Sequence, residues 1–137
     1  MSYIAVDFDG TCVTHEFPKV GQDIGAAEVL KDLVANGHKL ILWTMRSETE
    51  SNNCLTPAID WFVKNDIPLF GVNVNPTQHT WTSSRKAYAH LYIDDAALGI
   101  PIIHDVTICH KPFVNWIKVS KILEVMGYLP STNPIDQ

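Results

Sequence analysis

The sequence is short of the features that mark several common classes of protein. It has three cysteines, Cys12, Cys54 and Cys109, far apart and without a C-x-x-C pair. That pattern supports neither a zinc knuckle nor a thioredoxin-type motif, and free thiols in a reducing cytoplasm are the expectation. No apolar run approaches the roughly 20 residues that a membrane helix needs, so no membrane partner is expected. No basic segment precedes the apolar run that begins at Tyr3, which argues against a secretory leader. Charged residues make up only 18% of the chain and the net charge is −5, so a broad nucleic-acid-binding surface is not expected. The six histidines, His15, His38, His79, His90, His104 and His110, have no tight ligand spacing, which counts against a zinc site.

What the chain has is apolar material. At 46% apolar it is a core-forming sequence, and 137 residues suit one domain. The expected organisation is a single domain over residues 1–129 and a flexible tail over 130–137. Residues 3–6 read as a short buried strand that runs into Asp7-Phe8-Asp9-Gly10-Thr11. Residues 12–22 carry Pro18 and Gly21 and read as a loop or small hairpin. Residues 24–36 have Ala26, Ala27, Leu30, Leu33 and Val34 at helical spacing, and Asn36-Gly37 stops the helix.

A second strand is predicted over 39–43, running into Thr44, and a helix over 48–65 that Pro57 should kink or restart. A third strand is predicted over 70–74, a helical turn over 83–89, a fourth strand over 91–93 and a short fifth over 102–104. The closing helix is predicted over 113–126, with Phe113, Ile117, Val119, Ile122, Leu123 and Met126 on its core side. Strands alternating with helices imply an α/β fold: a three-layer, Rossmann-like parallel sheet with helices on both faces.

In such sheets ligands bind beyond the carboxyl ends of the strands. Three predicted strands end in groups with chemical potential: Asp7 and Asp9, Thr44, and Asp94 with Asp95. Carboxylates gathered at one edge repel unless a cation joins them, and oxygen ligands without nearby Cys or His select Mg²⁺. Lys86 on that edge would complement a phosphate dianion. The Thr44 hydroxyl and the N–H groups of the Asp9-Gly10 turn would hold its oxygens. The pattern reads as phosphoryl transfer to a carboxylate.

These residues resemble the haloacid dehalogenase superfamily of phosphohydrolases. Asp7-Phe8-Asp9-Gly10-Thr11 resembles its first motif, D-x-D-G-T after an apolar strand. Leu40 through Thr44 resembles the second, an apolar strand ending in Ser or Thr. Lys86 matches the third, and Tyr92-Ile93-Asp94-Asp95 the fourth. The resemblance implies that Asp7 is the nucleophile and forms an aspartyl-phosphate. It implies that Asp9 protonates the leaving oxygen and then deprotonates water. Thr44 would bind the phosphoryl group, and Lys86 would offset its charge and orient Asp7. Mg²⁺ would be held by Asp7, the backbone carbonyl of Asp9, and Asp94, Asp95 or both. Neither interval between motifs can hold a further domain of about 50 residues. The resemblance therefore implies a capless enzyme, with a site open or covered by the 12–22 loop or a neighbouring subunit of a homo-oligomer.

The expected function is a phosphatase acting on a phosphorylated substrate whose identity the sequence does not fix. A nucleotidase or polynucleotide-end phosphatase is the alternative, because related deoxynucleotidases also carry Ile-Asp-Asp in the fourth motif. An alternative of another class is a binding or regulatory module with little turnover. The plainer reading of the acids is a set of solvated turns, and of Lys86 a surface lysine. His15 and Glu16, on the loop after the first motif, could face substrate, but a solvated hairpin tip is the preferred reading. Arg46 reads equally as a phosphate ligand or as half of a surface ion pair. Trp43, Trp61 and Trp116 read as packing, and Trp81 as exposed.

Overall fold

The computed structural model describes residues 1–132, and positions 133–137 of the expected tail lie outside the described residues. In chain order the elements are β1 (Tyr3–Val6), α1 (Ala26–Ala35), β2 (Lys39–Leu42), β3 (Glu48–Thr49), β4 (Asn52–Asn53) and α2 (Leu55–Lys64). They continue with β5 (Gly71–Val72), a 3-10 turn at Gln78–Thr80, β6 (Leu91–Ile93), β7 (Ile102–Ile103), β8 (Phe113–Val114) and α3 (Trp116–Val125). Four strands form a parallel sheet in the order β5-β2-β1-β6. The fold is the expected α/β, Rossmann-like one, and no inserted cap domain interrupts it among the described residues.

Parallel register puts Ile4 beside Leu40 and Leu91, and Val6 beside Leu42 and Ile93. Successive strand residues face opposite ways, so these apolar side chains share one face of the sheet. They join Leu30 and Leu33 of α1, Ala58 and Phe62 of α2, and Trp116, Val119 and Leu123 of α3 in one buried core. Handedness explains this placement. The crossovers from β1 to β2 and from β2 to β5 step in the same direction, and right-handed connections put both helices on one face. The connection from β5 to β6 steps back the other way and lays residues 73–90 over the opposite face. There Ala87 is buried and its carbonyl accepts from the Tyr92 hydroxyl at 2.6 Å. The helical element of that thin layer is the 3-10 turn. Gly71 starts the return: a Cβ there would strike the Val74 carbonyl.

The Asp23 carboxylate caps α1, accepting from the N–H groups of Gly25, Ala26 and Ala27. Asn115 caps α3 by accepting from the Lys118 N–H.

Several local expectations are corrected. Residues 48–53 are the β3–β4 hairpin and not helix, since they are polar and carry no apolar stripe. Pro57 falls in the first turn of α2, where its missing N–H is harmless, and it kinks nothing. The helical turn lies at Gln78–Thr80 and not over 83–89. The strand at Ile102–Ile103 pairs antiparallel with Phe113–Val114 in a separate small sheet. Residues 113 and 114 are therefore strand, and α3 starts at Trp116. Its core face is Trp116, Val119 and Leu123, while Ile117 and Met126 are exposed. Residues 12–22 form a loop pinned by isolated bridges of Val13 to Asp9 and Asp23. Thr132 in the expected tail is bonded to Lys121 and Glu124. No described helix is long and apolar enough to cross a membrane.

Candidate functional site

The strand order reverses between β1 and β6, because β1 connects to a strand on one side and β6 lies on the other. Such a switch point opens a crevice at the carboxyl ends. β1 delivers Asp7 there, and the Asp7 N–H donates to the Ile93 carbonyl at 3.0 Å. β6 delivers Asp94 and Asp95 one strand away. Carboxylate oxygens of Asp7, Asp94 and Asp95 lie within 4.8 Å of one another.

The turn after Asp7 is built for close approach. Gly10 has φ +77°, and a Cβ there would meet the His15 ring and the Asp95 carboxylate. Thr11, fully buried, joins the two acidic segments. Its hydroxyl donates to Asp7 Oδ2 at 2.9 Å and accepts from the Asp95 N–H at 2.9 Å. Its carbonyl accepts from the buried Trp116 indole N–H at 2.6 Å, which ties the turn to α3.

This crowding has an electrostatic cost. Burial, the Asp94 charge and a hydrogen bond with Asp95 push the Asp7 carboxyl up from 3.8 to about 8. The Thr11 hydroxyl and the Phe8 N–H oppose that rise. Asp94 is also raised, chiefly by burial. Asp7 is therefore held protonated near neutral pH when nothing cationic joins the group. A divalent cation would reverse this balance, and three hard oxygen donors suit one. The residues present fit a metal ion.

Thr44 lies across a hollow of about 280 Å³ from Asp7, with Trp43, Met45, Asn73 and Asp94 around it. Its N–H donates to Asn73 Oδ1 at 2.8 Å, and its hydroxyl accepts from the Arg46 N–H at 3.1 Å. Asn73 has φ 55°, a conformation that Asn tolerates better than most side chains. An adjoining hollow of about 240 Å³ lies against Ala5, Asp7, Trp43, Tyr92 and Asp94. A larger hollow, of about 520 Å³, lies between α1 and α3. No group of three metal-ligating side chains gathers there among the described residues, so chemistry rather than size selects the site.

The structure brings Asp7, Thr44, Asp94 and Asp95 together. Lys86 reaches only the rim. It is exposed, its Nζ sits 5.4 Å from the Tyr92 ring centroid, and no described ion pair links it to Asp7. Asp9 is near in sequence, but its carboxylate is outside the acidic group. Both its oxygens accept from Arg46, at 2.8 Å from Nε and 2.7 Å from Nη2. Arg46 itself is neither phosphate ligand nor surface ion pair, being only 2% exposed.

Sequence reasoning missed the roles of Thr11, His15 and Arg46. Thr11 was visible inside the D-x-D-G-T run. His15, taken for a loop tip, turns back so that Nε2 lies 3.4 Å from Asp95 Oδ2 and 3.0 Å from the Pro112 carbonyl oxygen. Nothing local signals the pairing of Arg46 with a residue so distant in the chain. The three cysteines are free and buried, and Trp81 is exposed as expected.

No protein-family model matches the chain, and no curated protein matches it. Among solved structures, one described as a conserved protein from Bacteroides thetaiotaomicron matches with a TM-score of 0.71 and 34% sequence identity. The match covers 91% of this chain and 91% of that one. At that identity and coverage, the chain belongs to the same family as this conserved Bacteroides protein.

Proposed function

We propose that the chain is a Mg²⁺-dependent phosphomonoester hydrolase of the haloacid dehalogenase type, with Asp7 as its nucleophile. The observation that carries this reading is the meeting of Asp7, Asp94 and Asp95 within 4.8 Å at the switch point of a parallel sheet. Thr44 faces the same hollow. Carboxylates so placed suit Mg²⁺ bound by Asp7, Asp94, Asp95 and the Asp9 carbonyl, and the ion would neutralise charge on the transferring group.

The chain's own residues supply the rest. An Asp7 oxygen attacks phosphorus as the bond to the leaving oxygen breaks, and that oxygen takes a proton from Asp9, whose carboxyl must first turn off the Arg46 fork and pick up a proton from water. Water then attacks phosphorus, its proton passes to Asp9, and the acyl-phosphate bond breaks to release phosphate and restore Asp7. The Thr44 hydroxyl holds a phosphoryl oxygen. Lys86 reaches the substrate from the rim, beside Tyr92. Trp43, Met45 and Tyr92 line the hollows beside Asp7, and these flat or apolar walls favour a nucleotide over a bare sugar phosphate.

The test is a phosphatase screen with Mg²⁺ over sugar phosphates, nucleotides and phosphorylated DNA ends, combined with rapid-quench trapping of phosphoprotein. The expected result is turnover by the wild type and an acid-stable, hydroxylamine-sensitive phosphoprotein. Both should be lost in Asp7→Asn. Undiminished turnover in Asp7→Asn, or phosphate trapped elsewhere, overturns the assignment.

A further inference from the structure

The stretch between Asp66 and Asp94 holds no aspartate or glutamate, although the chain has 15 of them and a net charge of −5. Its permanent cations are Arg85 and Lys86. Both are exposed, and neither joins an ion pair among the described residues. Three aromatic side chains are exposed beside them: Trp81 at 62%, Tyr88 at 41% and Tyr92 at 39%. The Trp81 ring stands edge-on to Tyr88 with centroids 5.4 Å apart, and the Lys86 Nζ lies over the Tyr92 ring.

This surface is held in shape from below. Residues 81–90 form no helix or strand, yet two buried amide side chains fix their backbone. Gln78 Nε2 donates to the carbonyls of Ser84 and Lys86 at 3.0 Å, and Gln78 Oε1 accepts from the Tyr88 N–H at 2.7 Å. Asn75 Nδ2 donates to the Tyr88 carbonyl at 2.9 Å. Burying an amide is costly unless its bonds are made, and here the bonds go to the loop that carries the cations and Tyr88. Groups on a loop fixed in this way are presented in set places.

We propose that the 81–92 surface is a track for single-stranded nucleic acid, which leads a phosphorylated end of the strand to Asp7. Unpaired strands are bound by stacking their bases on flat rings and pairing their phosphates with cations, and this surface interleaves the two. A packing role alone does not call for an acid-free surface, nor for cations without partners. In an acidic protein such a patch is complementary to a polyanion only locally, which fits one strand end. The track is continuous with the site. Tyr92 also lines the hollow beside Asp7 and Asp94, and Tyr88, six residues before Asp94 in the chain, lies at most about 20 Å from it. Delivery of the end to Asp7 rests on the hydrolase reading, whereas binding to the track does not.

The experiment is fluorescence anisotropy with a dye-labelled oligothymidylate of about ten nucleotides carrying a terminal phosphate, in chelator. The single strand should bind at least about 10-fold more tightly than its duplex or than free thymidylate, since only the strand offers several free base faces. Log affinity should fall with log salt at a slope near about −1.4 for two cations, and Arg85→Gln should flatten it by about 0.7. Trp81→Ala should weaken binding by about 10-fold, and Trp81→Phe should restore most of it. With Mg²⁺, both Trp81→Ala and Arg85→Gln should lower kcat/KM on the phosphorylated oligonucleotide far more than on a small aryl phosphate. Thermal unfolding checks each variant, and if Trp81→Ala does not fold, the salt slope of Arg85→Gln decides. Equal affinity for duplex and strand, free thymidylate competing as well as the oligonucleotide, or an unchanged slope in Arg85→Gln overturns the proposal. Turnover of the aryl phosphate without strand binding refutes the track and leaves the hydrolase reading standing. Strand binding with the expected slope, but no turnover of any substrate, refutes the hydrolase reading and leaves the track.

Discussion

Removing one charge from the acidic group should make the metal-free protein more stable and its cation site weaker. Asp94→Asn is the perturbation of choice, because it keeps the side-chain shape and deletes the charge that raises Asp7. Two unit charges at 4.8 Å repel by about 3 kcal/mol at an effective dielectric constant near 20. Asp94 is partly open to solvent, and screening reduces the net gain to roughly 1 kcal/mol. For a chain of this length that is a rise in Tm of about 3–5 °C.

The gain depends on pH, with a definite sign. Asp7 is raised from 3.8 in the unfolded chain to about 8 in the fold, so the folded state holds the extra proton. Its contribution to stability is full below the unfolded value and is lost as pH rises through about 8, at about 1.4 kcal/mol per pH unit. Asp94→Asn lowers the Asp7 value, shortens that window, and should therefore help most at and above about pH 8, where both groups would be ionised. The assay is thermal unfolding followed by circular dichroism from about pH 6 to about pH 9, in chelator and in excess Mg²⁺. Wild type should gain Tm from Mg²⁺, and Asp94→Asn should gain less. A variant no more stable than wild type at high pH in chelator, or one with an undiminished Mg²⁺ shift, would refute the reasoning.

Two further predictions follow the turn that carries Asp7. Thr11→Val removes the hydroxyl shared by Asp7 and the Asp95 N–H, should cost about 1–3 kcal/mol in urea unfolding, and should weaken Mg²⁺ binding in a calorimetric titration. Trp116→Phe leaves the Thr11 carbonyl without its indole donor, should cost a similar amount of about 1–3 kcal/mol, and should weaken Mg²⁺ binding in the same titration although α3 contributes no ligand. An unchanged titration in Trp116→Phe would show that the turn holds its shape without α3.

Legibility in the sequence follows the range of the interactions. β1 and β2 were readable because inner strands of a parallel sheet are buried on both faces and appear as continuous apolar runs, and β6, at the sheet edge with Tyr92 exposed, was readable as a short apolar run before Asp94-Asp95. The polar residues that end those runs, Asp7, Thr44 and Asp94, then fall at one edge as a matter of geometry. The hairpin at 48–53 was read as helix because the true stripe, from Leu55 to Phe62, was extended backward over residues that carry none of it. The phase of α3 was misjudged because Ile117, Ile122 and Met126 offer a second apolar stripe, which only packing against α1 decides against. Arg46 lay beyond reach for another reason. Its partners Asp9, Pro18, Lys19 and Cys54 are spread over three segments, and no local pattern marks the one arginine that turns inward.

The position of the acidic group explains how the fold can tolerate it. Three carboxylates repel, and a flexible turn would spread them apart. Here Asp7 is fixed by its N–H bond to Ile93, and Asp95 by the Thr11 hydroxyl. The chain between them is anchored through Trp116 to the core on the far face of the sheet. The energy that holds the charges together therefore comes from apolar burial by Ile4, Val6, Leu30, Phe62 and their neighbours, remote from the site. In the proposed enzyme this arrangement favours cation binding, because the ligands are already ordered and the ion takes the place of the proton that Asp7 otherwise holds to limit their repulsion. It also accounts for a direction in the mutational effects. Core truncations should weaken the cation site along with the fold. Charge-removing substitutions at Asp94 should strengthen the fold and weaken the site, so only the acidic group should show the two properties moving in opposite directions.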